Sequence, residues 1–163
     1  MKIIPGENIE FITDYTFDEI RKILIENVEP KKGVRLNFNK TENDKIFEGK
    51  INSDNFVIQK VIYYRNSFLP QIYGKWESLN NDSKITIRLK LHNFTYIFAM
   101  IWITFVSITF IFSLIGILEQ GTNPIFGIVP VLMIIFGILL FNYGFEKEKK
   151  NSISDLKRIL KAR

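Results

Sequence analysis

Residues 94–118 read FTYIFAMIWITFVSITFIFSLIGIL, without one charged side chain. As a helix this stretch reaches about 37 Å. The hydrocarbon core of a bilayer is ~30 Å thick, so the helix is expected to tilt or overhang. Residues 125–143, IFGIVPVLMIIFGILLFNY, repeat the pattern over about 28 Å. Between them lies EQGTNP, a turn composition with Pro124 just ahead of the second helix. So short a connection makes the two helices antiparallel neighbours. A soluble chain of 163 residues has too little else to cover two all-apolar helices. The expectation is an integral membrane protein.

Flanking charge sets the orientation. Residues 1–92 hold 15 Lys/Arg against 13 Asp/Glu, the turn holds only Glu119, and the tail holds seven basic residues against three acids. Basic flanks on both sides of the hairpin predict two cytoplasmic termini. The N-terminal MKIIPGENIEFITDY has no long apolar core, so no secretory signal is expected. The pI near 9.3 is explained by juxtamembrane charge facing an anionic inner leaflet. With a net charge of only +2 before the hairpin, no nucleic-acid duplex is expected as a partner.

The expected fold class is α+β: a small antiparallel β domain with one N-terminal helix (1–92), a transmembrane helical hairpin (93–145), and a basic amphipathic tail helix (146–163). Residues 8–13 alternate weakly, as a strand. Thr16–Glu19 has the capping-box pattern, and Phe17, Ile20, Ile23, Leu24 and Val28 share a helical face up to Pro30. The period then changes to two. Val34, Leu36 and Phe38 alternate, residues 47–51 follow, and NSDN turns the chain into a long strand through Arg65. Residues 69–79 give a further strand. Residues 84–92 are the clearest: Ile85, Ile87, Leu89 and Leu91 on one face, Lys84, Thr86, Arg88, Lys90 and His92 on the other. This strand runs almost directly into the first span, so strain in the sheet reaches the membrane with little slack. In the tail, Ile153, Leu156, Ile159 and Leu160 form a face that either lies on anionic lipid or caps the sheet.

Catalytic chemistry is sparsely supplied. Without cysteine there is no disulfide, thiolate metal site or cysteine nucleophile, and one histidine, His92, is too few for a His-based cage. Gly33, Gly49 and Gly74 are isolated, so no phosphate loop is present. Asp14, Asp18, Glu19, Glu42, Asp44 and Glu48 read as solvated carboxylates. No cofactor, no metal and no enzymatic activity are expected. No ionisable group lies in either span, which disfavours a pump or carrier.

Two sets of residues stand out. Thr109, Ser113 and Gly116 on the first span, and Pro130, Gly137 and Gly144 on the second, make small-residue faces for helix packing. They pack either within the hairpin or between subunits of a homo-oligomer. Phe94, Phe98, Trp102, Phe105 and Phe112 form an aromatic stripe. In the cytosolic part, YYRNSFLPQIYG (63–74) is dense in turn formers, and Gly74 suggests a bulge or a close backbone approach. Arg65, Asn66, Lys75 and Arg88 are the candidate ligand residues, for a small anionic ligand. The alternative is a purely structural strand–turn–strand.

The N-S-F-L-P-x-I-x-G segment, with the FEGKI and NFVI strands and the KITIRLKLH entry to the span, resembles a group of small bacterial two-helix membrane proteins without an assigned function. The resemblance implies a bacterial origin. The architecture also looks like some bacterial anti-phage effectors, in which a β-rich domain senses a nucleotide signal and the helices disrupt the membrane; here the order of parts is reversed. Function is therefore expected to be ligand or partner sensing by the β domain, with an oligomerising hairpin as effector or channel-like assembly. The alternative is a membrane-anchored docking subunit of a larger complex, with a protein partner.

Overall fold

The computed structural model describes residues 3–31, 45–79 and 82–163. The alternation of Val34, Leu36 and Phe38, together with Glu42 and Asp44, lies outside them. The elements are β1 (Gly6–Thr13), α1 (Phe17–Asn27), β2 (Val28–Pro30), β3 (Phe47–Ile51), β4 (Asn55–Lys60), β5 (Pro70–Leu79), β6 (Asp82–Leu91), α2 (Asn93–Gln120) and α3 (Ile125–Leu160).

Thr16 starts α1: its hydroxyl accepts the Glu19 N–H, and the Glu19 carboxylate accepts the Thr16 N–H at 2.8 Å. These bonds hold the Glu19 carboxyl below its ordinary pKa. The helical face does not extend to Val28, which belongs to β2. Its β-branched side chain favours extended backbone there, and Pro30 keeps the preceding Glu29 extended as well.

The six strands form one sheet in the order β1-β6-β5-β4-β3-β2. The sheet is mixed, not antiparallel: β2 runs parallel to β3, and every other neighbour pair is antiparallel. The reason is α1, which carries the chain across the sheet from the β1 edge to the far edge. That edge lies about 24 Å away at ~4.8 Å per strand. β4 is also shorter than expected. It stops at Lys60, and residues 61–69 leave the sheet as a loop before β5 begins.

On β6, Ile85, Ile87, Leu89 and Leu91 are buried, and the intervening residues are not. Together with Phe11, Phe56, Ile72 and Trp76 they make one core, closed by Ile20 and Leu24 of α1. The remaining cover comes from the end of the chain. Phe145, Leu156 and Leu160 of α3 are buried in the same cluster. The tail face therefore caps the sheet and is unavailable to lipid. No separate tail helix exists: α3 runs unbroken for 36 residues, about 54 Å, from the turn after α2 into the core.

Both α2 and α3 are long and apolar enough to cross a membrane, with mean hydropathies of 2.4 and 2.6 over their most apolar stretches of 18 residues. Only 6% of the most apolar window of α2 is buried, which separates it from the core helix of a soluble domain. Gly121 ends α2 in the left-handed region at φ 63°, where its N–H bonds the Gly116 carbonyl.

Candidate functional site

Long-range hydrogen bonds and ion pairs tie the sheet domain to the two long helices. Only His92 separates β6 from α2. Its Nδ1 accepts the Phe94 N–H at 3.2 Å, so the single histidine caps the helix. A polar residue ahead of an apolar run is a signal that sequence reading had available.

The loop 61–69 wedges against both helices. The Thr95 hydroxyl donates to the Ser67 carbonyl at 2.8 Å. Asn66 accepts the Phe68 N–H at 2.9 Å and donates to the Gly144 carbonyl at 3.4 Å. The Phe68 ring meets Phe141 at 5.6 Å and lies over Gly144, where an added Cβ would stand 2.6 Å from the ring. Tyr64 donates to Glu148, which is 1% exposed. Burial first, then the Glu148 carboxylate, raises the Tyr64 phenol to about 12. Glu148 and its neighbour one turn on, Ser152, were not singled out by sequence reading, because two polar residues in a basic tail look like solvated surface. Glu148 Oε2 and Ser152 Oγ are both buried without a hydrogen bond among the described residues.

Ion pairs fasten α3 to both sides of the sheet. Lys149 reaches Glu7 of β1 at 2.5 Å and Glu146 at 2.6 Å, while Lys60 at the end of β4 reaches Asp155 at 2.6 Å. Burial alone pulls Lys149 down, but the bonds from Glu146 and Glu7 outweigh it and hold the ammonium above its usual range. The last residue closes the edge. Arg163 and Ile12 of β1 exchange backbone hydrogen bonds at 3.0 and 3.3 Å, and the Thr13 hydroxyl donates to the Leu160 carbonyl at 2.6 Å.

The face of the sheet away from the core is open and rich in cations. Tyr73 stands opposite Arg88, and Lys75 opposite Thr86. Lys90 lies over the Tyr73 ring at 5.3 Å. Lys84 pairs with Glu10 at 2.8 Å, and Lys75 pairs with Glu77. The hydrogen bond and the charge of that pair raise Lys75 and lower Glu77. Glu48, expected as a solvated carboxylate, is 6% exposed and accepts a bond from Gln59 at 2.7 Å.

The candidate ligand residues thus separate into two places. Lys75 and Arg88 share the open face on neighbouring strands. Arg65 and Asn66 sit in the loop at the joint, Arg65 exposed and Asn66 bonded to α3. Gly74 gives a close approach by a side chain: a Cβ there would stand 2.6 Å from Cε2 of Phe56, whose ring stacks on Trp76 at 5.9 Å.

The glycines of the small-residue faces, Gly116, Gly137 and Gly144, meet partners inside the chain, while Thr109 is exposed. Gly137 lies under Trp102, where an added Cβ would come within 2.5 Å of Cη2. Gly127 lies against Ile117, and Gly116 against Thr122 of the turn. Pro130 is buried, Ser113 Oγ is buried without a hydrogen bond among the described residues, and Thr109 bonds the Phe105 carbonyl at 3.0 Å. The aromatic stripe divides: Phe94, Phe98, Phe105 and Phe112 are exposed, while Trp102 turns inward to Phe141, edge-on at 6.1 Å. Compared with known proteins, the chain matches no family model, no curated protein and no solved structure.

Proposed function

We propose that this chain is a non-enzymatic bacterial inner-membrane protein that holds a binding module against the cytoplasmic face. The hairpin of α2 and α3 is the anchor, and the open face of the sheet, around Lys75 and Thr86, receives a protein partner or a small anionic ligand. The observation that carries this reading is the continuity of α3, which runs from the apolar span into the core of the sheet domain. Domain and anchor then move as one body, so the open face keeps a fixed attitude to the bilayer. The packing of Gly137 on Trp102 and of Gly144 on Phe68 favours an anchor over an assembling helix pair. It uses, within one chain, the small residues that subunit packing would need.

The test is a photo-crosslinking side chain at Thr86, in the centre of the open face, with the same group at Ile25 of α1 as control. In native membranes Thr86 gives a discrete crosslinked product and Ile25 does not. No product at Thr86, with the chain correctly inserted, refutes the docking face. Reporter fusions at both termini read cytoplasmic; a periplasmic signal at either end overturns the orientation.

A second reading rests on the same continuity. A change in sheet packing would be transmitted through His92 and α3 to the hairpin, as an anti-phage effector of the membrane-disrupting kind requires. Two helices per chain cannot enclose a pore, so that reading needs several copies. The mass of the protein in mild detergent separates the two. A defined assembly of four or more chains supports the effector, and a monomer supports the anchored module.

A further inference from the structure

A groove of about 740 Å³ lies between the start of β1, the end of β6 and the first turns of α2. That volume suits a small ligand, for which ~300–1,000 Å³ is usual. Its walls grade from cationic to apolar. Arg88 and Lys90 stand at one end; Tyr96, Met100 and Ile103 follow one another up a single stripe of α2 at the other. From Asn93 to Ile103 the helix rises about 15 Å. Neither Arg88 nor Lys90 has an ion-pair partner among the described residues. Among the described residues the groove has one carboxylate in its lining, Glu7, which is bound to Lys149. Lys90 rests over the Tyr73 ring at 5.3 Å, and among the described residues no carboxylate neutralises either charge at the cationic end.

We propose that this groove is a site for one anionic phospholipid, with the phosphate at Arg88 and Lys90 and an acyl chain along Tyr96, Met100 and Ile103. The proposal rests on the membrane reading of α2 and α3. The order of polarity along the groove matches the order of layers in a bilayer. With His92 as the only link, the span begins where β6 ends, so Arg88 and Lys90 reach the headgroup layer on long side chains. Tyr96 then lies at the interface, where aromatic rings with a polar tip settle. Met100 and Ile103 lie in hydrocarbon. A soluble anion would leave the apolar half uncovered, and an apolar partner helix would leave the two cations unpaired. A phospholipid satisfies both ends, and the Arg88 guanidinium suits a phosphate's paired oxygens.

The experiment uses the full chain in zwitterionic micelles titrated with phosphatidylglycerol, with bound lipid read by native mass spectrometry. The expected result is one retained phosphatidylglycerol per chain, held about 30-fold more tightly than phosphatidylcholine, from two cations near an anionic headgroup. The double variant R88A/K90A loses that preference. M100W, which fills the apolar half without changing charge, weakens retention as well. K147A/K150A, which removes two exposed tail cations, leaves retention unchanged. Equal loss in K147A/K150A and R88A/K90A overturns the site in favour of general surface charge, as does retention of the preference in R88A/K90A. Competition by glycerol phosphate as strong as that by the lipid overturns the lipid assignment in favour of a soluble anion. Flotation with phosphatidylcholine vesicles after an alkaline carbonate wash tests the membrane reading separately. Wild-type protein that fails to float refutes that reading, and protein that floats without any phosphatidylglycerol preference refutes the groove alone.

Discussion

Substituting Gly137 by alanine tests whether the small residues of α3 serve the hairpin itself. The added methyl would stand 2.5 Å from Cη2 and 3.3 Å from Cε3 of Trp102. Carbon atoms settle at ~3.5–4.0 Å, so the ring or the helix must give way by about 1 Å. The ring's freedom is limited by its edge contact with Phe141, one turn further along α3. Overpacking of this kind costs about 1–3 kcal/mol. Alanine also favours a helix over glycine by up to ~1 kcal/mol, which hides part of the cost in the single variant. A double-mutant cycle with Trp102→Ala removes that ambiguity, since the helix preference is common to both backgrounds. The double variant should cost less than the sum of the singles by about 1–3 kcal/mol, measured by reversible unfolding in mixed micelles. In the same micelles, light scattering should give the wild-type mass for the Gly137→Ala chain. Costs that add to within ~0.5 kcal/mol would refute the contact. A fall in mass without loss of hairpin stability would place Gly137 between chains instead.

Gly74→Ala should destabilise the sheet by about 1–3 kcal/mol, and Phe56→Leu should restore part of the loss, because the methyl strikes the Phe56 ring; equal costs in both backgrounds would contradict that contact. Leu156→Ala should cost about 2–5 kcal/mol in thermal or chemical unfolding, because its fully buried side chain joins α3 to the sheet core; a surface-like change under ~0.5 kcal/mol would mean the tail does not dock. The folded-state pKa of Tyr64 lies above its unfolded value of ~10, so its contribution is complete below pH 10 and fades as pH rises toward about 12. Tyr64 is 52% exposed and screened by solvent, so the loss should stay under about 1 kcal/mol, and Tyr64→Phe should abolish this pH dependence in unfolding curves taken from pH 9 to 12.

Much of this chain is legible locally. Two charge-free runs declare two long apolar helices, because their side chains offer the backbone few polar partners and a helix satisfies its backbone groups internally. The alternation in β6 declares one buried and one open face, because strand side chains alternate. The Thr16–Glu19 pair marks the start of α1 within four residues. Gly74 signals a crowded position, but the neighbour is the Phe56 ring, and neither the bulge nor the backbone approach suggested by a strand glycine is there.

What depended on tertiary structure involved partners far apart in sequence. The parallel placement of β2 depends on where α1 delivers the chain, and a three-residue strand carries no register signal of its own. Asn66 looks like a ligand residue in a turn-rich loop and is bonded to Gly144, 78 positions away. Glu148 reads as one acid in a basic tail, but it is buried because α3 never leaves the sheet domain. The tail shows the division most plainly. Its amphipathic face is fixed by the spacing of Ile153, Leu156, Ile159 and Leu160, and that spacing serves a lipid surface or a protein core equally well. The choice fell to the sheet, whose apolar face α1 alone covers only in part, and burying Leu156 and Leu160 there joined the domain and the hairpin into one body.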